Sequence, residues 1–78
     1  MINKKFGTVI ANLRKSKGLS QEDLAFELNL HRTYISQIER GIKSPSLRVI
    51  EKVSIFFEIK LSDLFRLVEN EVSTKHKK

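Results

Sequence analysis

Helix-stopping residues constrain this chain more than any other feature. Gly18, Asn29, Gly41 and the loop Ser44-Pro45-Ser46 divide the first half of the chain into separate segments. Between them the apolar residues recur at helical rather than strand spacing. Phe6, Val9, Ile10 and Leu13 fall at i, i+3, i+4 and i+7, which predicts a first helix over about residues 4–17. Arg14, Lys15 and Lys17 suit its last turns, and Gly18 supplies the left-handed residue that ends it. Ser20 with Asp23 three residues on forms a capping-box pattern for a second helix over about 21–28, with Leu24, Ala25 and Leu28 inward. Asn29 tolerates the left-handed conformation that closes it. A third helix over about 32–40 has only Ile35 and Ile38 as apolar anchors and ends at Gly41. Ser46 caps a fourth, about 47–57, in which Leu47, Ile50, Val53, Ser54 and Phe57 share a face. Ser62 caps a fifth, about 63–70, with Leu64, Phe65 and Val68 inward. No alternating strand pattern and no internal repeat is present, so the class is all-α. Short loops make sequential helices neighbours in space.

A chain of 78 residues accommodates one domain, expected over residues 1–72, with a basic tail at 73–78 that frays. Domains this small often rely on disulfides, a metal or a partner subunit. Zero Cys removes disulfides and thiolate zinc sites. His31 and His76 are far apart and lack carboxylate company, so neither a metal nor another cofactor is expected. Efficient helix packing, with a second subunit, is what remains. No apolar run approaches the roughly 18 residues that span a bilayer. Met1 to Phe6 lacks the apolar stretch of a signal peptide, so the expected compartment is the cytoplasm. There is no nucleophile beside a base, no paired carboxylates in an apolar setting and no Gly-rich phosphate loop. The chain does not read as an enzyme, and no small-molecule substrate is evident. Its net charge of +6 suits a polyanion without establishing one. That charge is uneven: residues 1–20 carry five bases and no acid, whereas 21–41 carry four acids and two bases.

The informative stretch is Gln21 to Gly41. Two short helices flank a tight turn at Asn29-Leu30, and the second is almost wholly polar outside Ile35 and Ile38. Such a helix gains little from its own burial. Arg32, Thr33, Ser36 and Gln37 are side chains that can read base edges in a major groove. Helix-turn-helix proteins present such a set from the start of their second helix.

These residues resemble a known family. Gln21-Glu22-Asp23-Leu24-Ala25, then Leu28, Leu30, Ile35, Ile38 and Glu39-Arg40-Gly41, look like the helix-turn-helix of the Cro/phage-repressor (XRE) regulators. The run from Arg32 to Gly41 is further similar to the restriction–modification controller proteins, small helical dimers that regulate their own operon. The resemblance covers roughly residues 5–68 and implies a five-helix, lambda-repressor-like DNA-binding domain. It implies base contacts by Arg32, Thr33, Ser36 and Gln37. It also implies phosphate contacts by Tyr34, Arg40, Lys43 and Gln21, with Gln21 bracing a recognition residue. Arg14 and Glu39 match a buried ion pair that ties the first helix to the third. Three positions depart from the pattern. Asn29 stands where Gly is frequent at the turn, and His31 stands at the cap of the recognition helix. Glu58 replaces the Gly expected after the fourth helix, which suggests a turn built differently.

Ile55, Phe56, Leu61 and Leu67 fall outside the inward faces of the last two helices. Isolated exposed apolar residues are common. The alternative, implied by similar repressors and controllers, is a two-fold interface that sets two recognition helices about 34 Å apart, one turn of DNA. The expected protein is therefore a homodimer on a pseudo-palindromic double-stranded operator, repressing or activating adjacent genes including its own. In some family repressors an acid at the position of Glu22 touches RNA polymerase, which makes polymerase a candidate partner. The alternatives are a phage-type repressor, an antitoxin regulator, or a helical protein-interaction module without DNA.

Overall fold

The computed structural model describes residues 1–71. It has five helices among them: α1 (Ile2–Ser16), α2 (Gln21–Leu28), α3 (Arg32–Glu39), α4 (Leu47–Phe56) and α5 (Leu61–Asn70). The tail expected at 73–78, with His76, lies outside the described residues. α1 packs across α3 and α5, α2 packs on α3 and α4, and α4 meets α5. The core is drawn from every helix: Phe6, Val9 and Ile10; Leu24, Ala25 and Leu28; Ile35 and Ile38; Val49, Ile50 and Val53; Leu64 and Val68.

Four helices end in one way. After α1, Gly18 is left-handed (φ 71°), its N–H donates to Lys15 O at 2.9 Å, and Leu19 N–H reaches back to Arg14 O at 3.1 Å. This pair of bonds is the Schellman motif, which satisfies carbonyls that the helix leaves orphaned. The same pair recurs at Asn29-Leu30 (φ 57°), Gly41-Ile42 (φ 76°) and Glu58-Ile59 (φ 54°). In every case an apolar residue follows the left-handed one, and Leu30 and Ile59 pack on the core. The turn after α4 is thus not built differently, as the missing Gly suggested. Glu58 takes the left-handed position itself, at a steric cost that glycine avoids. Glu58→Gly is expected to stabilise the domain by about 0.5–1 kcal/mol, the relieved strain less glycine's extra entropy. Differential scanning calorimetry should record a melting temperature roughly 2–8 °C higher.

The helix starts are more varied. Ser20 Oγ accepts from Asp23 N–H at 3.0 Å while Asp23 Oδ2 accepts from Ser20 N–H at 3.0 Å, completing the capping box. The Ser20 backbone N–H, and then its side chain, hold the Asp23 carboxyl below its ordinary range. Ser46 Oγ accepts from Val49 N–H at 3.2 Å. Ser62 does not cap α5: that helix begins earlier, with Lys60 at the cap and no side-chain bond, and Leu64 N–H closes its first turn on Lys60 O at 2.8 Å. α1 likewise starts ahead of its periodic residues, because Lys5 N–H finds Met1 O at 3.2 Å while Ile2 stays exposed.

Two inward assignments need correction. Leu47 is 81% exposed, and Val49 is buried in its stead. Leu47 is the first residue of α4, and a helical side chain tilts toward the N-terminus, which carries this one off the end of the helix and past the core. Phe65 sits at the rim of the Leu64/Val68 face and is 40% exposed.

Gly7 was not singled out by its sequence context. It is buried in α1 where that helix crosses the end of α3. A Cβ there would collide with the Ile38 carbonyl and lie 2.7 Å from the Glu39 carbonyl oxygen. Gly41 flanks the same crossing, where a Cβ would stand 3.0 Å from Lys4 Cα. The two backbones touch without intervening side chains, which seats the C-terminal end of α3 firmly on α1.

Candidate nucleic-acid interface

α3 is fixed from behind and free in front. Ile35 and Ile38 are buried, and the helix between them has no other full anchor. Arg32 and Thr33 are exposed, Ser36 and Gln37 half-exposed. Among the described residues none of these four side chains forms a hydrogen bond or ion pair within the protein. Their donors and acceptors are available to an external partner. Tyr34 is half-buried and packs on the core beside them. His31 caps α3 by position only, with its side chain exposed and making no bond back to the helix. Beyond α3, Arg40 and Lys43 are exposed, as is Glu22 in the first turn of α2.

The back of α3 is held by a closed ionic cluster. Arg14 Nε donates to Glu39 Oε2 at 2.7 Å and Nη2 to Oε1 at 3.0 Å, a bidentate pair. Arg14 Nη1 also donates to Leu19 O at 2.7 Å, which ties the α1–α2 turn into the same cluster. The two side chains are 10% and 6% exposed. The bonds to Glu39 raise the guanidinium pKa further above its already high ordinary value, against the opposing effect of burial. Arg14 therefore belongs to the frame, although it lies in the basic N-terminal segment. Gln21 joins the cluster: its Nε2 donates to Glu39 Oε1 at 2.9 Å. Its bracing partner is thus Glu39 rather than a groove-facing residue of α3. No sequence pattern pointed to that bond, since the two residues are 18 positions apart on different helices. On the other side Lys52 Nζ donates to Leu28 O at 2.9 Å, adding α4 to the end of α2.

The residues expected at a two-fold interface divide in two. Ile55, Leu61 and Leu67 are 69%, 46% and 42% exposed. Leu67 borders a shallow groove between α1 and α5, beside Val9 and Leu13. Phe56 is half-buried against its own core, edge-on to Phe57 with ring centres 5.0 Å apart and with Lys17 Nζ 5.9 Å from its ring centre. Among the described residues no His, Cys, Asp or Glu cluster could hold a metal ion. No helix there is long and apolar enough to cross a membrane.

The helix-turn-helix family model matches residues 10–64, from α1 into α5. The chain belongs to that family, in its XRE-type branch. This helix-turn-helix protein is 52% identical over 60 residues to the control protein C.BamHI of Bacillus amyloliquefaciens, covering 76% of this chain and 74% of that one. Its structure is similar to the restriction–modification controller protein C.AhdI of Aeromonas hydrophila, with a TM-score of 0.75, 43% identity, and coverage of 81% and 96%. It is also similar to the controller protein C.Esp1396I, solved as a tetramer on its natural 35 base-pair operator, with a TM-score of 0.79, 35% identity, and coverage of 91% and 93%.

Proposed function

We propose that this helix-turn-helix protein is a sequence-specific DNA-binding transcriptional regulator of the controller type. In this reading it binds a pseudo-palindromic operator as a homodimer, regulates its own operon, and activates or represses an endonuclease gene. The observation that carries the reading is the free polar row on α3. Arg32, Thr33, Ser36 and Gln37 have no intramolecular partner among the described residues and stand on a helix whose other end is tightly anchored. That is how a base-reading helix must be mounted, with donors unspent and orientation fixed. The operator-bound tetramer of C.Esp1396I and the likeness to C.BamHI support the assignment to operators. In this reading the role is binding rather than catalysis, and the protein works in the cytoplasm, where its operator lies.

Selection from a random duplex pool at moderate salt tests this. Enrichment of one inverted repeat is the expected result; a pool with no retained sequence would favour the protein-interaction module instead. On the selected duplex, Arg32→Ala should cost roughly 1–3 kcal/mol and relax preference at one base pair. Lys43→Ala should weaken all sequences alike and lower the salt slope by about 1, as loss of one phosphate contact does. If the two variants had the same profile across an operator library, the division of roles would be wrong. Tyr34 and Arg40 are assigned to phosphates with Lys43. Ile55, Leu61 and Leu67, with the exposed part of Phe56, supply the dimer contact; sedimentation showing only monomer with and without DNA would remove it. Glu22 is the assigned polymerase contact. Glu22→Ala should keep operator binding and lose activated transcription.

A further inference from the structure

The first turn of α1 lies beside the loop that follows α3. Gly41 has no side chain, and a Cβ there would stand 3.0 Å from Lys4 Cα and 3.3 Å from Lys4 N. Lys4 is thereby set against the short stretch that carries Arg40 and Lys43. All three side chains are exposed, and among the described residues none of them forms a hydrogen bond or ion pair within the protein. Lys4 is not needed to finish α3. The Ser36, Gln37 and Ile38 carbonyls already accept from the N–H groups of Arg40, Ile42 and Gly41, at 3.0, 2.9 and 3.0 Å. The acid on that helix, Glu39, is held by Arg14 and Gln21. Lys5 is placed differently: it is half-buried and lines a groove with Phe65 and Glu69 of α5. Nothing in the sequence separates these two neighbouring lysines, whereas the helix crossing does.

We propose that Lys4 is a DNA-backbone contact: the start of α1, outside the helix-turn-helix, joins Arg40 and Lys43 in one basic cluster that grips phosphates. The proposal rests on the DNA-binding reading above and deepens it. A lysine ammonium is a point charge on a flexible four-carbon stem. It therefore adds affinity without reading sequence, and its signature is the release of a counterion. The close approach at Gly41 is what brings that charge to the cluster.

The test uses the full chain and a duplex obtained by selection, with affinity followed from about 50 to about 200 mM salt. Lys4→Gln should keep the melting temperature of the parent, weaken selected and scrambled duplexes alike, and lower the salt slope by about 0.9, so that its deficit shrinks about 3.5-fold across that range. Lys5→Gln removes the same charge from the α5 side and should keep the wild-type slope. Lys4→Arg retains the charge and should keep it too. Single phosphates are then replaced in turn by uncharged methylphosphonates. One position should weaken binding by the wild-type protein and leave Lys4→Gln unaffected. A Lys4→Gln protein with the wild-type slope overturns the proposal. So do equal slope losses in the Lys4 and Lys5 variants, which would mark general attraction rather than a contact, and a methylphosphonate map that Lys4→Gln leaves intact. A wild-type protein that retains no duplex at all is a different result, which overturns the DNA-binding reading itself and this proposal with it.

Discussion

Gly7→Ala should lower the melting temperature by about 10–20 °C, taking about 2–3 kcal/mol for an overpacked contact and the usual shift per kcal/mol in a domain of this size. Alanine is ordinarily the better helix residue by about 1 kcal/mol, so propensity alone would predict the opposite sign. The added methyl meets the carbonyls of Ile38 and Glu39, which are backbone and cannot rotate away as a side-chain tip would. Relief requires α1 and α3 to separate, which opens the core at Phe6, Val9, Ile35 and Ile38 and strains the Arg14–Glu39 pair. Thermal denaturation by circular dichroism reads the effect directly. A Gly7→Ala protein as stable as the parent would mean that the two helices do not meet backbone to backbone. Gly18→Ala provides the contrast: nothing lies near its Cβ, so its cost is left-handed strain alone, about 1 kcal/mol.

The second large effect belongs to the ion pair. Glu39→Ala should cost about 3–5 kcal/mol, because it leaves the guanidinium of Arg14 buried with a single carbonyl partner. Arg14→Ala falls in the same range for the mirrored reason, since Glu39 would keep only the amide of Gln21. The informative variant is the double replacement Arg14→Met with Glu39→Leu. It removes both charges together and should recover much of the loss, since buried pairs exchanged for apolar residues of similar volume are often neutral or better. Urea denaturation of the two single variants and the double variant checks this. Strictly additive losses would show that the pair does not act as a unit.

Much of the frame was legible because its signals are local. Gly18, Asn29 and Gly41 stop helices where a left-handed residue is needed, and Ser20 with Asp23 starts one. The paucity of anchors on α3, Ile35 and Ile38 alone, also survived translation into structure. What escaped was either steric or distant. Glu58 carries no residue-type signal for a left-handed turn, so only its position after α4 betrays it. Leu47 follows the apolar periodicity of α4, but periodicity does not register that a first-turn side chain overhangs the helix end. Gly7 reads as a weak spot in a helix until the carbonyls opposite it are seen. The Arg14–Glu39 pair was suggested by resemblance, not by charge pattern, and Gln21's attachment to it by neither.

The uneven mounting of α3 has a bearing on how such a protein changes. Beyond the burial of Ile35 and the packing of Tyr34, the ties that secure this helix gather at its far end: the glycine crossing, the ionic cluster and the turn at Gly41. The first turn, from His31 to Thr33, has exposed side chains and no side-chain cap. Replacements there meet little resistance from the fold, whereas replacements at Ile38 or Glu39 meet a great deal. The exposed first turn of α3 and the folding of the domain are therefore largely separable in this chain. If the proposed base contacts hold, a lineage can exchange the residues of that first turn and move to a new binding sequence while the scaffold behind it stays the same.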